Sequence, residues 1–280
     1  MHAQPALRKI VIFGVGLIGG SFALALRKAG AVGEVVGFGR SAATLEQARQ
    51  LGILDHIGRD EAHEVDNADI VLVATPVAQM ADIFARIAPH LGAHTLVTDG
   101  GSTKGDVVAA ARANLGNKLE QFVPAHPIAG AEKSGPDAAT AELYVGKRVV
   151  LTPLPENSPE NVARVRKAWE LCGANVSELT AAQHDEVFAA VSHLPHLLSF
   201  ALVHDIAQRD NRDQLLSFAA SSPEMWRDIC LANREALLKE IMQYADELHG
   251  LYQALEQRDA AKLESVFSEA RAVRSNWHPQ

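Results

Sequence analysis

Lys9-Ile-Val-Ile-Phe-Gly14-Val-Gly16-Leu17-Ile18-Gly19-Gly-Ser21 is the stretch that decides the fold. Its first half is a short apolar run rich in β-branched residues, the composition of a buried strand. Its second half carries three glycines at G-x-G-x-x-G spacing and passes into a helical pattern from Ser21 to Ala29 that stops at Gly30. The first glycine permits a tight turn, the second lets backbone approach a pyrophosphate, and the third lets helix pack on strand. The amides at the helix start, aligned with its positive end, then receive phosphate. Lying between a strand and a helix, the motif marks a dinucleotide site built on Gly14, Gly16, Leu17, Ile18 and Gly19.

The same alternation continues downstream. Glu34–Phe38 reads as a strand, Ala43–Leu51 as a helix ending at Gly52, and Asp69–Ala74 and Thr95–Thr98 as strands with a helical Val77–Leu91 between them. Lys147–Leu151 and Asn175–Leu179 close the series, which predicts βαβ units and a parallel sheet covered on both faces. After about Thr180 the strands cease. Thr180-Ala-Ala-Gln183 has the form of a capping box. In the apolar stretch Val187–Val203, Pro195 cannot donate to the carbonyl of Val191, which predicts a kink. Leu237, Ile241, Tyr244, Leu248, Leu251 and Leu255 recur at spacings of 4, 3, 4, 3 and 4, a heptad-like seam that serves either packing within the chain or a dimer. The expectation is an α/β chain: a Rossmann-type parallel sheet over residues 1–179, then an all-helical substrate and dimerisation domain over residues 180–280.

Composition narrows the function. The chain has 280 residues, 48% apolar and 21% charged, an ordinary globular balance with room for two domains. No run of about 18 apolar residues predicts a membrane helix, and residues 1–8 lack the pattern of a secretory signal. Cys172 and Cys230 are too few for a disulfide framework, which fits the cytoplasm. A formal charge of −8 argues against a nucleic-acid partner. Anionic ligands must therefore be held by local features.

The end of the second strand bears on the cofactor. An NAD site usually places Asp or Glu about 20 residues beyond the glycines, on the ribose hydroxyls. Here Gly39 stands there, followed by Arg40 and Ser41. With no carboxylate to repel a 2′-phosphate and a guanidinium beside it, NADP is expected in preference to NAD. Thr75 and Pro76, after the Asp69–Ala74 strand, complete the expected cofactor set.

Two further segments fall at the C-terminal edge of the sheet, where ligands of such folds bind. Asp99-Gly-Gly-Ser102-Thr-Lys-Gly105 follows one strand. Pro124-Ala-His126-Pro-Ile-Ala-Gly130-Ala-Glu132-Lys133-Ser-Gly135 follows the short apolar piece Phe122-Val123. A histidine held between two prolines in a glycine-rich loop is suited to catalysis.

Together with Ser192-His193-Leu-Pro-His196 and Pro223-Glu-Met-Trp226-Arg227-Asp-Ile229, these segments resemble the prephenate/arogenate dehydrogenases of tyrosine biosynthesis, from about residue 8 to about 275. The resemblance implies oxidative decarboxylation: hydride leaves the hydroxyl-bearing ring carbon for a nicotinamide, carbon dioxide departs and the ring becomes aromatic. It implies that His126 is the catalytic base and that Ser102 orients it. Likewise it implies that Ser192 and His193 lie on the substrate side and that Glu132 and Lys133 line the mouth. Trp226 either walls the substrate pocket or sits in the core, and Arg227 is expected at the substrate. The resemblance further implies a homodimer joined through C-terminal helices. Pro195 breaks the spacing of His193 and His196 and no third ligand is evident, so no metal is expected. The chain departs from the family in one place: Leu215–Ser222 runs into Pro223 without the usual Gly-Phe-Arg-Asp-x-Thr-Arg stretch, whose last arginine grips the ring carboxylate. Arg212 and Arg227 are candidates to replace it. The alternatives are a Rossmann-plus-helical dehydrogenase of another small acid, with its acid in the helical half, and a non-catalytic cofactor-binding relative.

Overall fold

The computed structural model describes residues 5–130, 134–199 and 222–276. They form two compact units, residues 1–233 and 234–280. In the first, β1 (Leu7–Phe13), α1 (Leu17–Lys28), β2 (Val32–Phe38), α2 (Ala42–Gln50), β3 (His56–Ile57), α3 (Glu61–Asp66), β4 (Ile70–Val73), α4 (Met80–Ile87) and β5 (Leu96–Asp99) build a doubly wound layer. Its five strands are ordered β3-β2-β1-β4-β5, and all pair in parallel. Alternate residues of β1 feed opposite faces: Ile10 and Ile12 join one buried cluster with Phe22 and Leu26, Val11 and Phe13 the other with Phe84 and Val97. Both faces are covered, which is why these strands are continuous apolar runs.

The expected single parallel sheet is corrected beyond β5. Here α5 (Gly105–Asn114) leads to β6 (Ala125–Pro127), then β7 (Arg148–Leu151), α6 (Pro159–Leu171) and β8 (Asn175–Glu178). These strands form a separate sheet ordered β6-β7-β8, and β6 runs antiparallel to β7, with His126 opposite Val150. Only β7 and β8 are parallel. Parallel pairing needs a crossover, usually a helix. α6 supplies one between β7 and β8, whereas the described residues between β6 and β7 hold nothing longer than a 3₁₀ turn at Pro136–Ala138. A parallel bridge of Val97 to Phe122 leads the chain from β5 into β6.

α7 (Ala181–Phe188) opens with the predicted capping box, Thr180 and Gln183 satisfying each other's backbone amides. It then widens into a π-helical turn, Ala189–His193, in which the amide of Leu194 reaches back to the carbonyl of Ala189. This wide turn immediately precedes Pro195, whose missing donor argued for an irregularity here. α8 (Pro223–Ala232) completes the first unit. The second unit is α9 (Arg234–Glu256) packed on α10 (Ala260–Asn276). Of the predicted seam on α9, Leu237 is buried while Tyr244, Leu248 and Leu255 are exposed. Among the described residues, no helix is long and apolar enough to cross a membrane.

Candidate active site

The phosphate-binding turn has the geometry its glycines foretell. Gly14 adopts φ +94°, and a Cβ there would lie 2.5 Å from the carbonyl oxygen of Ala74. At Gly19 a Cβ would lie 2.3 Å from the Gly14 oxygen and 2.7 Å from Ile12 in β1. Space beside Gly16 is open to at least 4 Å. α1 starts without a side-chain cap or an acidic residue in its first turn, so its leading amides are left for an anion.

A cleft of about 560 Å³ lies over the ends of β1, β2 and β4, beside the point where the strand order reverses. Gly14, Gly16, Gly39, Arg40, Ser41, Thr75 and Pro76 line it, with Glu61, Asp82 and Arg86 at its rim. The hydroxyl of Thr75 is buried there without a partner among the described residues. Of the expected cofactor set, Leu17, Ile18 and Gly19 do not line the cleft; they form the start of α1 beneath it. Ser41 caps α2 by accepting from the Thr44 amide, and Arg86 forms a two-pronged pair with Glu61. Volume, open turn, free amides and orphaned hydroxyl suit a dinucleotide.

Gly100 joins this cleft to the His126 strand. A Cβ at Gly100 would lie 2.9 Å from Ile18 and 3.9 Å from the ring of Pro127. One residue before Pro127, His126 sits with Nδ1 2.8 Å from Nε2 of His184 on α7. Nδ1 of His184 is in turn 2.8 Å from Oδ1 of Asp185. Asp185 also accepts from the backbone amides of Lys104 and Gly105, at 2.8 Å each, which ties α7 to the start of α5. The rings of His126 and His184 both lean on Phe188. Sequence reading singled out neither His184 nor Asp185.

Under this line lies a fully buried ion pair. Lys104 and Asp99 are both 0% exposed. The Lys104 ammonium donates to Asp99 and to the carbonyl of Ala125, the residue before His126. Asp99 accepts further from the amides of Gly101 and Ala125. One salt bridge thus fixes both the Gly100–Lys104 loop and β6.

Electrostatics favour neutral imidazoles. Burial pushes His126 well below its ordinary value, and the positive potential of His184, Lys104 and His193 acts in the same direction. Burial likewise lowers His184, against the opposing pull of Asp185. Asp185 is itself partly buried, which would raise it, but the bonds from His184, Gly105 and Lys104 outweigh that and hold it below the usual carboxylate value.

His193 is almost fully buried, its Nδ1 3.1 Å from the Asn233 amide nitrogen, which also donates to the Asp185 carbonyl. It also bonds to the backbone of Ser102, and burial lowers it to about 4. His193 is thereby placed behind Ser102. The Ser102 side chain has no hydrogen bond to His126 among the described residues; His184 holds the ring instead. Ser192, in the π turn, accepts through its carbonyl from Nδ1 of His196, and His196 stacks on Trp226 at 3.8 Å between centroids. Among the described residues, the buried Trp226 indole N–H has no partner. Arg227 is bound to its neighbour Asp228. Glu132, Lys133, Arg212 and the 215–221 segment lie outside the described residues. Among those described, no group of three or more His, Cys, Asp or Glu is placed to hold a metal.

Comparison with known proteins matches residues 22–178 to the nucleotide-binding domain of prephenate dehydrogenase and residues 180–269 to its dimerization domain. The chain is 32% identical to the cyclohexadienyl dehydrogenase of Zymomonas mobilis over 97% of its length and 96% of that protein's. A structure of prephenate dehydrogenase from Aquifex aeolicus, in complex with hydroxyphenyl propionate and NAD+, is 34% identical and superposes with a TM-score of 0.88, covering 96% of this chain and 97% of that one. The arogenate dehydrogenase of Synechocystis is 28% identical with a TM-score of 0.80, covering 96% of this chain and all of that one.

Proposed function

The chain belongs to the prephenate dehydrogenase family, and on that premise we propose how its residues carry out the family's reaction. It is a nicotinamide-dependent oxidoreductase that oxidatively decarboxylates prephenate, arogenate or both, giving 4-hydroxyphenylpyruvate or tyrosine. The bound nicotinamide supplies the hydride acceptor. His126 takes the proton of the ring hydroxyl as that carbon becomes a carbonyl, general-base work that requires a neutral imidazole. Loss of carbon dioxide then returns an electron pair to the ring, and the oxygen takes its proton back as the ring becomes a phenol. No net proton is released.

The observation that carries this reading is His126 itself: neutral, engaged among the described residues at Nδ1, and one residue from the Pro127 ring beside Gly100. Ser102 lies at the same edge, its backbone held by His193. Ser192 and Trp226 belong to the substrate side, where the unpartnered indole N–H suits an anionic oxygen. Glu132 and Lys133 are assigned to the mouth and Arg227 to the substrate on the resemblance. Residues 1–179 hold the cofactor, and residues 180–280 serve substrate and dimer. Arg40, exposed in the cleft beside Gly39, which stands where an NAD-type carboxylate would, favours NADP over NAD. The exposed stripe on α9 supports a homodimer, and the cytoplasm is the expected compartment.

The test is nicotinamide reduction with prephenate and arogenate separately, each with NAD and NADP. Turnover in one or more mixtures is expected, with His126→Asn lowering kcat by about 10²- to 10⁴-fold. Loss of less than tenfold would remove His126 from the role of base. Arg40→Ala is expected to raise KM for NADP and leave KM for NAD within about twofold, a difference of less than about 0.4 kcal/mol.

A further inference from the structure

We infer that His184 and Asp185 are positioning residues that fix the tautomer of His126, so that its Nε2 always presents a lone pair to the substrate hydroxyl. The inference rests on the reading of His126 as base and follows from counting donors along one line of contacts.

An ionised carboxylate only accepts hydrogen bonds. Oδ1 of Asp185 lies 2.8 Å from Nδ1 of His184, so that nitrogen carries the hydrogen. A neutral imidazole has one N–H, which leaves Nε2 of His184 an acceptor. Nδ1 of His126, 2.8 Å away, must then be the donor. By the same rule Nε2 of His126 is unprotonated. The ordinary freedom of a neutral histidine to carry its hydrogen on either nitrogen is removed by a carboxylate two residues along the chain of bonds. Asp185 is well suited to the task, because the Lys104 and Gly105 amides hold both its oxygens. Among the described residues, the charged and titratable groups facing the two rings are Asp185, Asp99, Lys104 and His193, and none interrupts the line.

The line has no need to export a proton. The reaction borrows one from the hydroxyl and returns it to the same oxygen, so His126 must be in the correct form at the start and hold the proton briefly. A fixed tautomer meets that need, and the nearby carboxylate steadies the transient imidazolium.

The test uses the whole chain with histidines labelled in both ring nitrogens, the His126 signals being assigned by their loss in His126→Asn. In the unaltered protein His126 is expected in the Nδ1–H form at neutral pH. In His184→Phe, which removes the acceptor, it should shift toward Nε2–H, with kcat lowered about 10²-fold and substrate and cofactor KM within about threefold. That loss lies at the low end of what a general base contributes. His184→Gln offers an amide oxygen to Nδ1 and should recover at least tenfold of kcat. Asp185→Leu, similar in size and without an acceptor for His184 Nδ1, should shift the tautomer in the same direction and guards against a Phe variant that fails to fold. The inference is overturned if His126 stays Nδ1–H in the Phe and Leu variants, or if both keep kcat within threefold. Failure of the base reading has a different signature: His126→Asn would keep turnover while the tautomer shift was still seen.

Discussion

Replacing Lys104 with methionine tests the buried ion pair that seats the catalytic strand. Methionine matches the length of lysine but brings no charge and no donor. The Asp99 carboxylate would be left 0% exposed with its only cationic partner among the described residues gone. Removing one member of a buried pair costs about 3–5 kcal/mol. Two backbone amides still serve Asp99, from Gly101 and Ala125, which places the loss near the lower end of that range. Losing the bond from Lys104 to the Ala125 carbonyl adds about 1 kcal/mol. The sum is about 4 kcal/mol, a large share of the roughly 5–15 kcal/mol that holds a domain together. At about 2–4 °C per kcal/mol for a unit of this size, the melting temperature should fall by about 8–16 °C. Asp99→Asn with Lys104→Met removes both charges and should recover at least half of the loss. The assays are urea unfolding and thermal melts without cofactor. A single variant within about 1 kcal/mol of the unaltered protein would refute the reasoning, as would a double variant no more stable than the single.

Stability should fall as the solution is acidified through the histidine range. Burial holds His126, His184 and His193 below 6.5, so the unfolded chain binds protons that the folded chain refuses; the stabilisation is complete above about pH 6.5 and is lost below it. His193, at about 4, accounts for about 3 kcal/mol of that loss by pH 4, and His193→Gln should flatten the pH dependence of urea midpoints by a comparable amount. The phosphate turn separates binding from folding. Gly16→Ala meets open space and should leave stability within about 0.5 kcal/mol while weakening dinucleotide affinity about tenfold, whereas Gly19→Ala collides with backbone and should cost about 1–3 kcal/mol in unfolding experiments. If α9 pairs two chains, Leu248→Glu with Leu255→Glu should shift the sedimenting species from dimer to monomer; an unchanged profile would assign that stripe to another role.

Much of the first unit was legible because its signals are local. β1, the turn and α1 are neighbours in sequence, and each is specified by its own residues: β-branched runs for the strands, glycines for the turn. β6 was not legible. It is three residues long, includes a proline, and owes its existence to β7, where Val150 pairs with His126 from 24 positions downstream. His184 and Asp185 were read only as part of a capped helix, because their partners are brought in by tertiary contact: His126 is 58 positions away, Lys104 81. Lys104 itself passed for a loop lysine beside Ser102. A charge at the end of a buried strand with an opposite charge five residues on was the one available sign of the ion pair.

The π-helical turn at Ala189–His193 has a consequence for how this chain tolerates change in length. A wide turn holds one residue more than the α-helical register would, and each residue advances a helix by about 100°. Deleting a single alanine there would close the wide turn to an ordinary α-helical one and leave the helix beyond it nearly in phase. The same deletion in the regular turns of α7 would swing everything after it by about 100° about the axis. A residue lost from those regular turns would take His193 from Asn233 and His196 from Trp226. The wide turn is therefore a buffer of helix phase: a codon lost at Ala189 or Ala190 can be absorbed there, but one lost in the turns of α7 before it cannot.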